Sequence, residues 1–235
     1  MEITSSIKNI VEQDFDSGRE KIESRVYNDS DIASKAVSDH IIEKINQKTK
    51  RGEAFVLGLA TGSTPIKVYR NLIQAYKNGT VSFKNVYTFN LDEYYPMDSS
   101  SIHSYVQFMY QNLFDEIDIP KAHIHIPDGT LPIEKIDTYC TDYEKKIALL
   151  GGIDLQLLGI GRTGHIGFNE PNASFESTTR LVWLDPVTRK DASSGFFGEK
   201  NVPTQAITMG MKTIMRSKEI LLLAWGESKV SVKKK

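Results

Sequence analysis

Residues 158–171 read Leu-Gly-Ile-Gly-Arg-Thr-Gly-His-Ile-Gly-Phe-Asn-Glu-Pro. The glycines in this stretch, Gly159, Gly161, Gly164 and Gly167, free the backbone to take positive φ and to approach a ligand closely. His165 and Glu170 add an imidazole and a carboxylate, a pair suited to proton transfer near neutral pH. The same residue types also fit an ordinary glycine loop around a buried histidine, so the stretch takes its meaning from what else the chain brings to it. Asp92 and Glu93 follow the apolar run 86–89, and Leu91, Tyr94 and Tyr95 give surroundings in which a carboxylate can be tuned as a general base. Adjacent acids in a loop are also commonly just solvated. Thr61, Gly62, Ser63 and Thr64 stand before a helical pattern, and amide and hydroxyl groups at a helix N-terminus can hold a phosphate. They do not form a P-loop, because the Gly-x-x-x-x-Gly-Lys-Ser/Thr spacing is absent. Lys229 follows the apolar run 220–225 and is a candidate anion ligand, although exposed lysines are commonplace.

Those groups need elements to hold them. The runs 54–59, 86–89, 123–126, 153–158, 181–184 and 220–225 are too short for helices and predict strands, the last of them fully apolar. Helical spacing lies between them. Ala33, Val37, Ile41 and Ile45 form one face of a helix with Ser30 as N-cap. Ile66, Tyr69, Ile73 and Tyr76 form another, with Pro65 at its first position and Thr64 or Ser63 as the cap. Residues 99–101 cap a third, whose face is Ile102, Tyr105, Met109 and Leu113 and whose His103 reads as structural. Ile136, Cys140, Tyr143 and Ile147 mark a fourth. Strands alternating with helices predict an α/β fold, a doubly wound, mostly parallel, Rossmann-like sheet with helices on both faces. Open sheets of this kind bind ligands beyond the carboxyl ends of their strands. Thr61 to Thr64, Asp92, His165 with Glu170, and Lys229 all fall immediately after such strands, and that convergence favours a real site over separate accidents.

Composition narrows the classes. With 235 residues, 40% hydrophobic and 25% charged, one globular domain is the expectation. Basic residues number 29 against 30 acidic, so a net charge of −1 offers no global field for nucleic acid, membrane or polyanions. The lone Cys140 excludes an intrachain disulfide and a cysteine-rich zinc site, and its helical stripe buries it as an inert thiol. His123 and His125 alternate without a ligand partner at metal spacing, so they read as strand residues. Residues 1–15 lack a signal-peptide core, and no run approaches a membrane span. A cytoplasmic protein acting on a small molecule is expected, with a homo-oligomer compatible. Residues 1–28 read as a charged N-terminal extension with one short helix and 29–235 as the α/β domain. Its last residues stop about one turn into an expected helix, as a truncated chain would.

Three segments resemble glucosamine-6-phosphate deaminase in order and spacing: Gly-Leu-Ala-Thr-Gly-Ser-Thr-Pro (58–65), Phe-Asn-Leu-Asp-Glu-Tyr (89–94) and Gly-His-Ile-Gly-Phe-Asn-Glu-Pro (164–171). The resemblance spans about residues 25–235 and includes 202–210 and Gly226-Glu227-Ser228-Lys229. It implies Asp92 as the base that moves a proton between C1 and C2 of the open-chain amino sugar. His165 would open the pyranose ring, with Glu170 orienting it. The groups of residues 62–64 and Lys229 would hold the 6-phosphate, and fructose 6-phosphate and ammonia would be the products. Such chemistry needs neither metal nor cofactor. Thr163 stands where these deaminases commonly carry an aspartate that supports the histidine, and Ser193-Ser194-Gly195 stand where an arginine usually precedes the Phe-Phe pair. The early residues and the Gly-Arg-Thr-Gly-His form are similar to the deaminase-like domain that begins some longer bacterial proteins. Two alternatives stay open: a 6-phosphogluconolactonase-type hydrolase, and a non-catalytic sugar-phosphate-binding domain on the same scaffold.

Overall fold

The computed structural model describes residues 23–226. Among them, five parallel strands form a central sheet: β1 (Phe55–Leu59), β2 (Val86–Asn90), β4 (Ile124–His125), β5 (Leu155–Gly159) and β8 (Ile220–Leu223), in the order β4-β2-β1-β5-β8. Every residue of β1 is buried, as a central strand covered on both faces requires. From β1 the chain winds outward through β2 and β4, then returns to β5 on the opposite side. The strand order therefore reverses between β1 and β5, and a crevice at their carboxyl ends is the place for a ligand.

Helices cover the sheet. One apolar cluster joins Ile41 and Ile45 of α1 (Ser30–Lys50), Val68, Tyr69 and Leu72 of α2 (Ile66–Lys77) and Met109 of α3 (Tyr105–Asn112) to Phe55, Leu57 and Leu155. A second packs Tyr143 and Ile147 of α4 (Ile136–Leu149) on Val56, Phe89 and Leu158. Cys140 lies on α4 in a third cluster with Ile136, and burial pushes its thiol up to about 11, the inert state its stripe predicts.

Three expected helix starts are corrected. The cap of α1 is Asp29, whose Oδ1 accepts from the amides of Asp31 and Ile32, each at 2.8 Å, so Ser30 is already helical. Pro65 is the N-cap of α2 and not its first helical residue, and neither Ser63 nor Thr64 caps it through a side chain. Ser104, not residues 99–101, caps α3, and Ile102, expected on its buried face, is 74% exposed. The Ser104 hydroxyl outcompetes the earlier serines because, of them, it reaches the amide of Val106, at 3.0 Å.

A larger difference concerns Asp92 and Glu93. They do not sit in a loop after β2 but open a strand, β3 (Asp92–Tyr95), of a separate three-stranded antiparallel sheet with β7 (Gln205–Thr208) and β6 (Arg180–Trp183). The run 181–184 thus belongs outside the parallel sheet, and β7 lies in a segment whose polar residues hid it. Leu91 joins the sheets: its amide donates to Leu59 O and its carbonyl accepts from Met209 N at 2.7 Å. Finally, among the described residues β8 stands at the edge of the sheet with one buried residue, Leu223, rather than as the buried strand its apolar run suggests. The short helix expected in residues 1–28 falls largely outside the described residues.

Candidate active site

A cleft of about 230 Å³ opens at the carboxyl ends of β1 and β5. Thr61, Gly62, Ser63 and Thr64 form one wall, Gly159, Ile160 and Gly161 another, and Asp92, Tyr105, His165 and Phe168 close it. The structure thus brings six of the sequence-selected positions, from three separate chain segments, into one space. Lys229 lies outside the described residues, and no Lys or Arg of the described residues lines the cleft.

Asp92 is 6% exposed, and its neighbour Glu93 is 1% exposed. Their environments differ. Glu93 Oε2 accepts from Ser104 Oγ at 2.7 Å and from the amides of Tyr105 and Val106 at 2.8 and 3.3 Å, while Oε1 accepts from Tyr94 N at 2.9 Å. Glu93 is therefore an anchor that ties β3 to the start of α3, where a carboxylate complements the helix dipole. Asp92 faces the cleft instead, and burial, reinforced by the charge of Glu93, pushes it up to about 8. A carboxylate raised that far has the proton affinity of a general base working near neutrality. Gly167 makes its position accessible: at φ +58°, a Cβ there would stand 3.1 Å from Asp92 Oδ2 and 3.0 Å from Thr208 Oγ1.

The glycine loop is wound tightly. Gly161 N donates to His165 O at 2.9 Å and Gly164 N to Gly161 O at 3.1 Å. The His165 ring lies against Gly161, where any Cβ would overlap its Cε1 and Nε2. Phe168 packs on Tyr94, with ring centroids 5.2 Å apart, and its amide donates to Thr208 Oγ1 at 3.1 Å. Asn169 locks the loop from the other side, donating to Ile166 O and Met209 O and accepting from Arg180 at 3.0 Å. That locking aims Glu170 at Thr163, whose hydroxyl donates to Glu170 Oε2 at 3.0 Å and meets His165 Nδ1 at 2.7 Å. Glu170 Oε2 and His165 Nδ1 are 3.6 Å apart, so the carboxylate reaches the ring through Thr163.

Other histidines lie in structural settings. His103 stacks on Phe196, His123 on Tyr87 and His125 on Phe89, and burial holds His125 down to about 4, a neutral ring. Among the described residues no cluster of three or more His, Cys, Asp or Glu could hold a metal, and no helix is long and apolar enough to cross a membrane. Sequence reasoning missed Tyr105 as a cleft residue, since its helical spacing marked it only as core. It also passed over Thr188 of α5 (Pro186–Ala192), whose hydroxyl meets Glu170 Oε1 at 2.5 Å across eighteen residues of chain, a contact without local signal.

Comparison with known proteins places the chain among relatives of known name. Residues 28–235 match the family model described as glucosamine-6-phosphate isomerases/6-phosphogluconolactonase. A glucosamine-6-phosphate deaminase of Oceanobacillus iheyensis is 49% identical over 202 residues, covering 86% of this chain and 78% of its own. A glucosamine-6-phosphate deaminase-like protein of Bacteroides thetaiotaomicron is 42% identical over 213 residues, 91% of this chain but 32% of that longer protein. Among solved structures, a monomeric glucosamine-6-phosphate deaminase superposes with TM-score 0.82 at 40% identity, covering 87% of this chain and 83% of the other.

Proposed function

The chain belongs to the family of glucosamine-6-phosphate isomerases and 6-phosphogluconolactonases, and we propose that it acts there as a deaminase converting glucosamine 6-phosphate to fructose 6-phosphate and ammonia. The observation that carries this reading is the cleft itself, where a buried, high-affinity carboxylate and a histidine face one space beside a turn of hydroxyl and amide groups. Relatives at 40–49% identity bear the deaminase name, which favours it over lactone hydrolysis.

The residues divide the work as follows. His165 moves a proton from O1 to the ring oxygen while the C1–O5 bond breaks, giving the open aldehyde. Asp92 takes the C2 proton and returns it to C1 while one proton of the C2 ammonium passes to O1, so the enolamine intermediate becomes a C2 iminium. Water adds at C2 and ammonia leaves, one water consumed for each ammonia released. Glu170, acting through Thr163, orients His165. Thr61, Gly62, Ser63 and Thr64 hold the 6-phosphate: the first turn of α2 has no side-chain cap and no acidic residue, which leaves its amides to an anion. Lys229 supplies the charge. Trp225 Nε1 donates to Thr64 O at 2.9 Å, so the chain leaves β8 beside that turn four residues before the lysine. Residues 29–235 constitute the deaminase-like domain.

The test is a coupled assay of ammonia release from glucosamine 6-phosphate, run beside hydrolysis of 6-phosphogluconolactone. Equimolar ammonia and fructose 6-phosphate support the reading. Lactone hydrolysis without ammonia would replace it with a lactonase, and tight sugar-phosphate binding without turnover would replace it with a binding domain.

A further inference from the structure

The Glu170 carboxylate is gripped at both oxygens by threonine hydroxyls from different segments. Thr163 of the glycine loop donates to Oε2 at 3.0 Å, and Thr188 of α5, itself 6% exposed, meets Oε1 at 2.5 Å. Each hydroxyl has one proton to give, and an ionised carboxylate can only accept. Thr163, having spent its proton on Glu170, must accept at its contact with His165 Nδ1 at 2.7 Å. The neutral imidazole therefore carries its proton on Nδ1 and has Nε2 as its basic nitrogen. A Glu170 with one oxygen released is free to rotate away from Thr163, whose hydroxyl then donates to His165 Nδ1 and places the imidazole proton on Nε2.

We infer that Thr188 is a positioning residue for His165: by holding Glu170 Oε1 it fixes the direction of the Glu170–Thr163–His165 hydrogen-bond chain and hence which ring nitrogen accepts the sugar proton. The inference rests on the deaminase reading for its kinetic consequence but not for its tautomer. The link reaches α5, which a second contact, between Asp191 and Arg162, also ties to the glycine loop. Of these two polar contacts between the helix and the loop that carries the histidine, that of Thr188 is the buried one.

The test compares the parent chain with Thr188→Val, which keeps shape and removes the donor, and Thr188→Ser, which restores it. Protein labelled with ¹⁵N-histidine reports the tautomer of His165, assigned by the signal missing in His165→Asn. The parent should show the proton on Nδ1. Thr188→Val should lose about tenfold in kcat with KM little changed, the effect of one hydrogen bond to a charged group, and should shift proton occupancy toward Nε2. Thr188→Ser should restore both. A Thr188→Val protein with parent kcat, or with reduced kcat and an unmoved tautomer, would overturn the inference. So would a parent protonated on Nε2, a result that stands even where the valine variant does not fold. A parent that releases no ammonia would count against the deaminase reading alone, and the tautomer would still decide the relay.

Discussion

Asp92 carries a cost that its environment makes measurable. Its carboxyl is raised to about 8, first by burial and then by Glu93. As pH climbs past the ordinary carboxylate range, the unfolded chain gives up this proton while the folded chain keeps it, so folding stability falls until the folded value is passed. Asp92→Asn removes that liability. We expect its melting temperature to match the parent at about pH 4 and to exceed it by a growing margin toward about pH 8, while activity is lost. A melting difference independent of pH would show that Asp92 titrates normally. The residue types at 92, 165 and 170 were legible in the sequence because side-chain chemistry is written there directly. Their hydrogen bonding was not, and it is hydrogen bonding that separates Asp92, facing the cleft, from the equally buried Glu93, locked to the start of α3 by three donors.

At the scale of elements, the glycine loop works by close approach. Gly161 permits the His165 ring to lie on its Cα, and Gly161→Ala must push that ring away. Displacement of a catalytic group by about an ångström can cost on the order of a hundredfold in rate. We predict that loss in kcat for Gly161→Ala, with binding of a 6-phosphorylated sugar little altered, and kinetics beside a binding titration check it. An alanine variant with parent turnover would mean the histidine does not act from this position. Most of the parallel strands were legible because short, largely apolar runs need no partner to be recognised, and β4 was legible from the alternation of 123–126. Of the antiparallel trio only β6 was legible, as the run 181–184: β3 follows β2 after one residue, and β7 reads Gln-Ala-Ile-Thr, with two apolar residues between polar ends. The starts of α1 and α3 failed for a related reason, since several Ser and Asp residues compete for each of these caps and three-dimensional proximity chooses between them.

For the molecule as a whole, the proposed phosphate site draws on segments that follow β1 and β8. The turn after β1 supplies hydroxyls and amides, and the segment after β8, secured by Trp225 to Thr64, leads to Lys229. Lys229→Ala should weaken binding of a 6-phosphorylated sugar about tenfold or more while leaving the unphosphorylated sugar nearly unaffected, as loss of one charge-assisted contact requires. Equal weakening of both would assign the lysine to folding. Convergence on one sheet edge was legible before any coordinates, because strand ends in a doubly wound sheet share that edge. The contact of Thr188 with Glu170 was not, for it depends on how α5 lies over the loop.

The central claim is that Asp92 carries a proton from C2 to C1 of the amino sugar in this cleft. Glucosamine 6-phosphate deuterated at C2 tests it most directly. The parent should turn it over more slowly than the protiated sugar, releasing ammonia and yielding fructose 6-phosphate whose new C1 hydrogen derives from C2 or from solvent exchange at the carboxyl. Asp92→Asn should still bind the sugar phosphate and leave the C2 deuterium in place. Loss of that deuterium at the parent rate in Asp92→Asn would contradict the account.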